Sequence, residues 1–169
     1  MNEQKTIRKW FWVWDFEKEE QWLNEMAMSG WVLSSVGFCK YTFTACEPGE
    51  YTIRLEMHEH DEAYLAFMKE AGAEYVGRIV QWIYFRKRTE DGPFDLFSDI
   101  DSRIAHLEKI GKTLSGVGLG NLAIGLAVSM NSFAPLGWIN LLCATLLMYA
   151  LGRTHGRIDE MKKVRQLHE

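Results

Sequence analysis

The residues in this chain best suited to chemistry are Glu56, His58, His60 and Asp61, which stand together after an apolar alternation. On a strand, Glu56, His58 and His60 share one face, and imidazole with carboxylate is acceptable zinc or iron chemistry. The cluster has no confirming partner elsewhere in the chain. Two histidines at a strand end read as solvated loop residues, so no metal is expected. Gly111-Lys112-Thr113 has the ending of a phosphate loop, yet His106 stands where the first glycine belongs and no strand precedes it. Gly116, Gly118 and Gly120 lie in an apolar run rather than at a strand-to-helix turn, which removes the dinucleotide reading. No nucleophile with a base and no carboxylate pair in a cleft can be assembled, so neither an enzyme nor a cofactor is expected. Cys39, Cys46 and Cys143 are odd in number and lack metal spacing, consistent with free thiols in a reducing compartment.

What remains is a recognition surface. Trp10, Trp12 and Trp14 alternate with Phe11 and Val13, making this segment apolar on both sides if it is a strand. One side packs on helices; the other, joined by Trp82 and Tyr84, forms an aromatic sheet face larger than a soluble monomer usually exposes. A second copy of the domain, the helix from Phe94 to Ile110, or the bilayer surface would cover it. Alternatively it is a cleft for a flat hydrophobic or cationic small molecule that stacks on tryptophan. Net charge of -4 and the lack of a basic, glycine-flanked aromatic strand argue against nucleic acid.

The elements that must position these residues follow from periodicity. Lys9 to Trp14 reads as a strand, and Asp15 as the N-cap of a helix whose Phe16, Leu23, Met26 and Ala27 share one side until Gly30 ends it. Tyr41, Phe43 and Ala45, then Ile53, Leu55 and Met57, read as a hairpin joined at Glu47-Pro48-Gly49-Glu50, which requires an odd-numbered loop or a bulge, with Gly37 or Gly49 to supply the adjustment. Asp61 opens a second helix, with Tyr64, Phe67, Met68 and Ala71 on one side, stopped by Gly72; Glu74 to Arg88 is one last strand. The class is therefore α+β, with the ferredoxin-like order β-α-β-β-α-β over residues 1–92. Repeats and low-complexity tracts are not legible.

After Asp91-Gly92-Pro93, residues 93–112 read as an amphipathic connector helix. From Ile110 to Leu151 the chain carries no charge except Lys112, and residues 113–152 break near Asn131-Ser132-Phe133-Ala134-Pro135-Leu136-Gly137. Two segments, Thr113 to Met130 and Pro135 to Leu151, each just span a hydrocarbon layer of about 30 Å as a transmembrane helical hairpin. Gly116 with Gly120 supplies a small-residue packing face, and Asn121 and Asn140 supply hydrogen bonds within it. Residues 153–169 form a basic tail. Basic flanks on both sides place both termini in the cytoplasm, the tip across a cell membrane, and the partner as the bilayer with a second copy or another membrane protein.

Five stretches carry a resemblance: Trp14-Asp15-Phe16-Glu17-Lys18-Glu19-Glu20, Glu47-Pro48-Gly49-Glu50-Tyr51, Gly72-Ala73-Glu74-Tyr75-Val76-Gly77, Tyr84-Phe85-Arg86-Lys87 and Phe97-Ser98-Asp99-Ile100-Asp101-Ser102-Arg103-Ile104. Together, over roughly Lys9 to Ile110, they resemble an uncharacterised bacterial family of the DUF2812 type. The resemblance implies a small membrane-anchored protein of Gram-positive bacteria, encoded beside PadR-like regulators and serving an envelope or drug-stress response. It brings no catalytic residues. Two functions follow as expectations: a membrane-anchored cytoplasmic binding, sensor or accessory regulatory protein acting through the aromatic face, or a structural subunit of a larger membrane complex docking through its glycine-rich hairpin.

Overall fold

A computed structural model of the chain describes residues 3–97, 99–130 and 134–168, the side chains of 134, 135, 167 and 168 excepted. The chain divides into two compact units, residues 1–96 and 97–169.

The first unit is α+β. Its elements are β1 (Gln4–Arg8), α1 (Phe16–Met28), β2 (Trp31–Gly37), β3 (Lys40–Ala45), β4 (Tyr51–Met57), α2 (Glu62–Glu70), β5 (Glu74–Ile79) and β6 (Trp82–Arg88). They form two antiparallel three-stranded sheets, ordered β1-β3-β2 and β4-β6-β5. The single ferredoxin-like sheet is therefore corrected to two sheets of identical topology, each built as β-α-β-β.

The two halves repeat in detail. Leu23, Met26, Gly30 and Phe43 stand at one constant spacing from Leu65, Met68, Gly72 and Phe85. Gly30 and Gly72 each end their helix at φ +82, the left-handed conformation that glycine adopts without a Cβ penalty. The bulge between Leu33 and Ser35 recurs between Tyr75 and Gly77 at that same spacing. Helix α1 has 13 residues and α2 has 9, a difference of about one turn. So few side chains match that the repeat is invisible in the sequence.

Three expected strands change. Lys9 to Trp12 run without regular structure into a 3-10 turn, Val13–Asp15, so the tryptophan segment follows β1 rather than forming a strand. β3 and β4 are not a hairpin: β3 pairs with β1 and β2, β4 with β6, and Glu47 to Glu50 crosses between sheets. Glu74 to Arg88 is two strands around Val80 and Gln81. Both true hairpin turns place a non-glycine residue at positive φ, Cys39 at 53° and Val80 at 56°. Those residues carry none of the usual turn chemistry, which is why the turns went unread.

Helix α1 packs on β2 and β4, and α2 on β5. Leu23, Leu33, Phe43, Ile53, Leu55, Ile83 and Phe85 are fully buried between them. Met68, Ala73, Ile83 and Phe85 form a cluster that Tyr64, Leu65, Phe94 and Leu96 complete. Burying each of these larger side chains contributes about 1.5–3 kcal/mol before entropy is counted. β2 and β5 lie side by side; a Cβ on Gly77 would come within 2.9 Å of Val36 Cγ1, so glycine is needed there.

The second unit consists of α3 (Ile100–Ser129) and α4 (Ala134–His168), packed on each other. Helix α3 starts at a capping box, with Asp99 Oδ1 accepting from Ser102 N at 2.7 Å. The expected connector of residues 93–112 has no boundary of its own: Phe94 and Leu96 belong to the first unit's core, and the helix from Ile100 continues unbroken to Ser129. The basic tail is likewise continuous with α4. The residues expected at the tip, Asn131 to Phe133, lie outside the described residues.

Buried Ile104, Leu107, Gly111, Leu114, Gly118 and Gly125 of α3, with half-buried Asn121 and Val128, alternate by three and four, while His106 and Ile110 are buried outside that series. On α4, buried Gly137 and Ala144 and half-buried Leu151 recur every seven residues, and buried Thr154 and Ile158 continue at spacings of three and four. That is a heptad seam. Among the described residues, one helix, spanning Leu136–Gln166, is long and apolar enough to cross a membrane. In α3, five glycines and Asn121 dilute the apolar run.

Candidate functional site

The aromatic residues expected on one sheet face divide into three environments. Trp10 and Trp12 are 54% and 45% exposed, Trp14 and Trp82 are half-buried, and Tyr84 is 3% exposed. Tyr84 therefore leaves the proposed surface. It sits on β6 directly opposite Leu55, and the α1 side of that pair is core. Trp82 pairs with buried Phe16, ring centroids 5.1 Å apart.

Trp10, Trp12 and Trp14 remain together. Trp12 stacks on Trp14 at 4.8 Å and 10°, Trp10 meets Trp12 edge-on at 5.4 Å, and Trp10 meets Phe38 edge-on at 5.8 Å. Phe38, in the β2–β3 turn, is 76% exposed. Backbone hydrogen bonds hold the segment at both ends: Lys9 N donates to Cys39 O at 3.2 Å and Asp15 N to Trp12 O at 2.8 Å. Lys9 Nζ lies 4.8 Å over Phe11 and 4.4 Å over Trp22, favourable cation–π placements. Offset and edge-on aromatic geometry presents both ring faces and ring edges to a ligand. Phe38 and Lys9 were missed by sequence reasoning, since a lone aromatic in an unread turn carries no periodic signal.

Beneath this lies a polar centre. Glu19, 8% exposed on α1, accepts at Oε1 from Tyr41 Oη at 2.7 Å and Tyr84 Oη at 2.6 Å. Burial raises the Glu19 pKa despite the two donors, and burial with the adjacent carboxylate raises both phenols. The trio thus ties α1 to one strand of each sheet. Its signal was legible: Glu19 falls three residues after Phe16 and four before Leu23, inside the apolar stripe.

Helix α1 also seals a strand edge. Asn24 Oδ1 accepts from Ile53 N at 2.9 Å, Asn24 Nδ2 donates to Ile53 O at 2.9 Å, and Glu20 Oε2 accepts from Leu55 N at 3.1 Å. Burial raises the Glu20 pKa, with Arg54, 3.3 Å away, opposing it.

At the histidine cluster, Glu56 accepts a hydrogen bond from Tyr64 Oη, and His58 stacks on Tyr64 at 4.1 Å. Glu56 is buried while His60 is exposed. Among the described residues no three His, Cys, Asp or Glu side chains converge as a metal site.

In the second unit, a Cβ on Gly116 or Gly120 would meet nothing within 4 Å, whereas one on Gly118 would come within 2.6 Å of Met148 Cε and one on Gly125 within 2.9 Å of Leu141. The glycines that pack α3 on α4 are thus Gly118 and Gly125, correcting the expected Gly116 and Gly120. Asn121 and Asn140 each donate to the carbonyl four residues back in their own helix, Val117 and Leu136.

No curated protein and no solved structure gives a significant match to this chain. A family model described as a protein of unknown function, DUF2812, matches residues 15–119, which takes in α1 through most of α3. The chain belongs to the DUF2812 family.

Proposed function

We propose that this protein is a membrane-anchored binding or accessory regulatory module, whose aromatic segment Trp10 to Trp14 with Phe38 engages a hydrophobic ligand or partner and whose α3–α4 pair is the anchor. The observation that carries the binding half is the pinned, exposed aromatic cluster, with Phe38 and Trp10 more than half open. Large contiguous aromatic exposure is costly in water and marks an interaction surface. A flat lipophilic cation or aromatic compound would stack on Trp10 and Trp12.

The anchor reading rests on how the outer faces of α3 and α4 change along one continuous seam. Toward the α3 C-terminus and α4 N-terminus the outward residues are Leu119, Leu122, Ile124, Leu126, Trp138, Ile139, Leu142 and Leu146. Toward the other end they are charged, with Lys162 bonded to Glu108 at 3.0 Å and Arg165 to Asp101 at 2.6 Å. Only 17% of the most apolar window of α4 is buried, the opposite of a core helix. Two spans with both termini cytoplasmic accommodate this pattern, the basic flanks fixing orientation.

Tryptophan fluorescence of the full chain in mild detergent tests the binding half. Titration with lipophilic cations and aromatic compounds should give saturable quenching that Trp10→Ala with Trp12→Ala removes. Linear, non-saturating quenching across a broad panel, unchanged in that variant, would rule out the ligand surface.

A second reading, a structural subunit of a larger membrane complex, is favoured by the open space beside Gly116 and Gly120. Small residues facing outward let another helix approach closely. Crosslinking in native membranes should then give a heavier adduct that Gly116→Leu with Gly120→Leu abolishes.

A further inference from the structure

Between Glu108 and Asp159 the chain has no acidic residue, yet it has Lys109, Lys112, Arg153 and Arg157. The uncharged stretch between Lys112 and Arg153 is the apolar body of α3 and α4, so these cations gather where that body ends. Packing fixes their level. A Cβ on Gly111 would lie 3.7 Å from Leu151 Cδ1 and 4.0 Å from His155 Cε1, so Lys112, the next residue, stands level with Arg153. Both side chains are exposed. To one side of this level the outward residues are apolar, Val117 and Leu119 on α3 with Leu146 and Tyr149 on α4. To the other side they are charged.

Farther along the charged end, cations are neutralised within the protein: Lys162 Nζ bonds Glu108 at 3.0 Å and Arg165 Nη1 bonds Asp101 at 2.6 Å. Lys112 and Arg153 differ. Glu108 stands four residues before Lys112, at the spacing that would pair them on a helix, but it is taken by Lys162. Among the described residues neither Lys112 nor Arg153 makes an ion pair, a side-chain hydrogen bond or a ring contact. Space beside Arg153 is open as well, since a Cβ on Gly152 or on Gly156, one turn on, would meet nothing within 4 Å.

We infer that Lys112 and Arg153 are a headgroup site selective for anionic phospholipids, each cation meeting the phosphate of a lipid whose chains lie on the adjoining apolar face. The inference rests on the membrane anchor proposed above. Position selects a lipid over a soluble anion as the occupant, because the two unpaired cations border outward leucine and tyrosine surface that acyl chains cover. Long basic side chains reach from the edge of the hydrocarbon to the phosphate level. A zwitterionic headgroup brings its own ammonium and offsets that attraction. An anionic one does not, and each lysine or arginine at an anionic leaflet is worth about fivefold in binding.

Native mass spectrometry of the full chain in mild detergent, mixed with equal amounts of dioleoylphosphatidylglycerol and dioleoylphosphatidylcholine, tests it. Wild type should retain phosphatidylglycerol over phosphatidylcholine by about fivefold or more. Lys112→Gln with Arg153→Gln should bring the two lipids close to parity, and Lys112→Arg with Arg153→Lys should keep the preference. Lys40→Gln with Lys163→Gln removes the same charge elsewhere and should leave the preference unchanged. Parity in the wild type, or an equal fall in the Lys40 and Lys163 variant, overturns the inference while the chain still resists carbonate extraction and the anchor stands. Displacement of phosphatidylglycerol by an equimolar amount of glycerol phosphate also overturns it, since the site would then hold a soluble phosphate. A wild-type chain found wholly in the carbonate supernatant removes the anchor, and this site with it.

Discussion

Two buried ionisable side chains set opposite slopes on how stability varies with pH. Glu19 has its folded pKa raised above the ordinary 4.5 by burial, so the folded state holds the proton more tightly than the unfolded chain does. Stability from this group is complete below about pH 4.5 and declines as pH rises through the folded value. Glu20, raised for the same reason, adds to that slope. His106 is 7% exposed and has its value lowered to about 4, by burial first and Lys109 second. The folded state excludes its proton, so stability present above about pH 6.5 is lost toward pH 4, by up to about 3 kcal/mol. The His106 limb extends up to about pH 6.5 and the carboxyl decline starts near pH 4.5, so in thermal melts of the detergent-solubilised chain the two oppose each other over that window and single variants separate them. Glu19→Gln keeps an acceptor for Tyr41 and Tyr84 and should flatten the decline above pH 5, leaving the Glu20 share. His106→Asn should flatten the acid limb. A Glu19→Gln curve that falls as steeply as wild type would show that the carboxyl is ionised at no cost.

At the scale of elements, the glycines of α3 separate into two roles that sequence spacing alone confused. A four-residue spacing drew attention to Gly116 and Gly120, but the seam repeats by sevens, so Gly111, Gly118 and Gly125 are the residues that turn toward α4. Gly118→Leu should overpack against Met148 and cost about 1–3 kcal/mol or more, read as a lower melting temperature of the helical signal. Gly116→Leu, facing open space, should leave that temperature within a degree or two. Equal losses from both would mean the seam is misplaced. The same contrast explains what the sequence made legible. Helices α1 and α2 announced themselves through Gly30 and Gly72, and α2 also through Asp61, whose Oδ1 accepts from Ala63 N at 2.9 Å. Asp15 did not cap: its carboxylate bonds Lys18 at 2.8 Å instead. Strand pairing was lost because Phe38-Cys39 and Val80-Gln81 turn without glycine, asparagine or proline, leaving two hairpins unmarked and a false one at Pro48-Gly49. The aromatic segment was legible as a surface through Trp10 and Trp12; its Tyr84 component was not, because a strand pattern apolar on both sides hides which side a helix will cover.

For the whole molecule, the question is which solvent the apolar end of the α3–α4 pair meets. The seam runs through charged and uncharged ends alike, so packing between the helices cannot be what selects the outward leucines. In water, the outer residues Leu119, Leu126, Leu142 and Leu146 would expose apolar surface at about 25 cal/mol per Å² with no compensating contact. In lipid the same surface is neutral, and both helices satisfy their own backbone hydrogen bonds. The expected result is that the full chain sediments with membranes, resists carbonate at high pH and is released by detergent. Leu122→Arg with Leu142→Arg, two charges each costing about 2.5–3.5 kcal/mol at mid-bilayer, should move most of the chain into the carbonate-soluble fraction. Glu160→Arg, at the charged end, should leave partitioning as it is. Wild-type protein found wholly in the carbonate supernatant, and unaggregated without detergent, would refute the anchor and require a protein partner to cover those leucines instead.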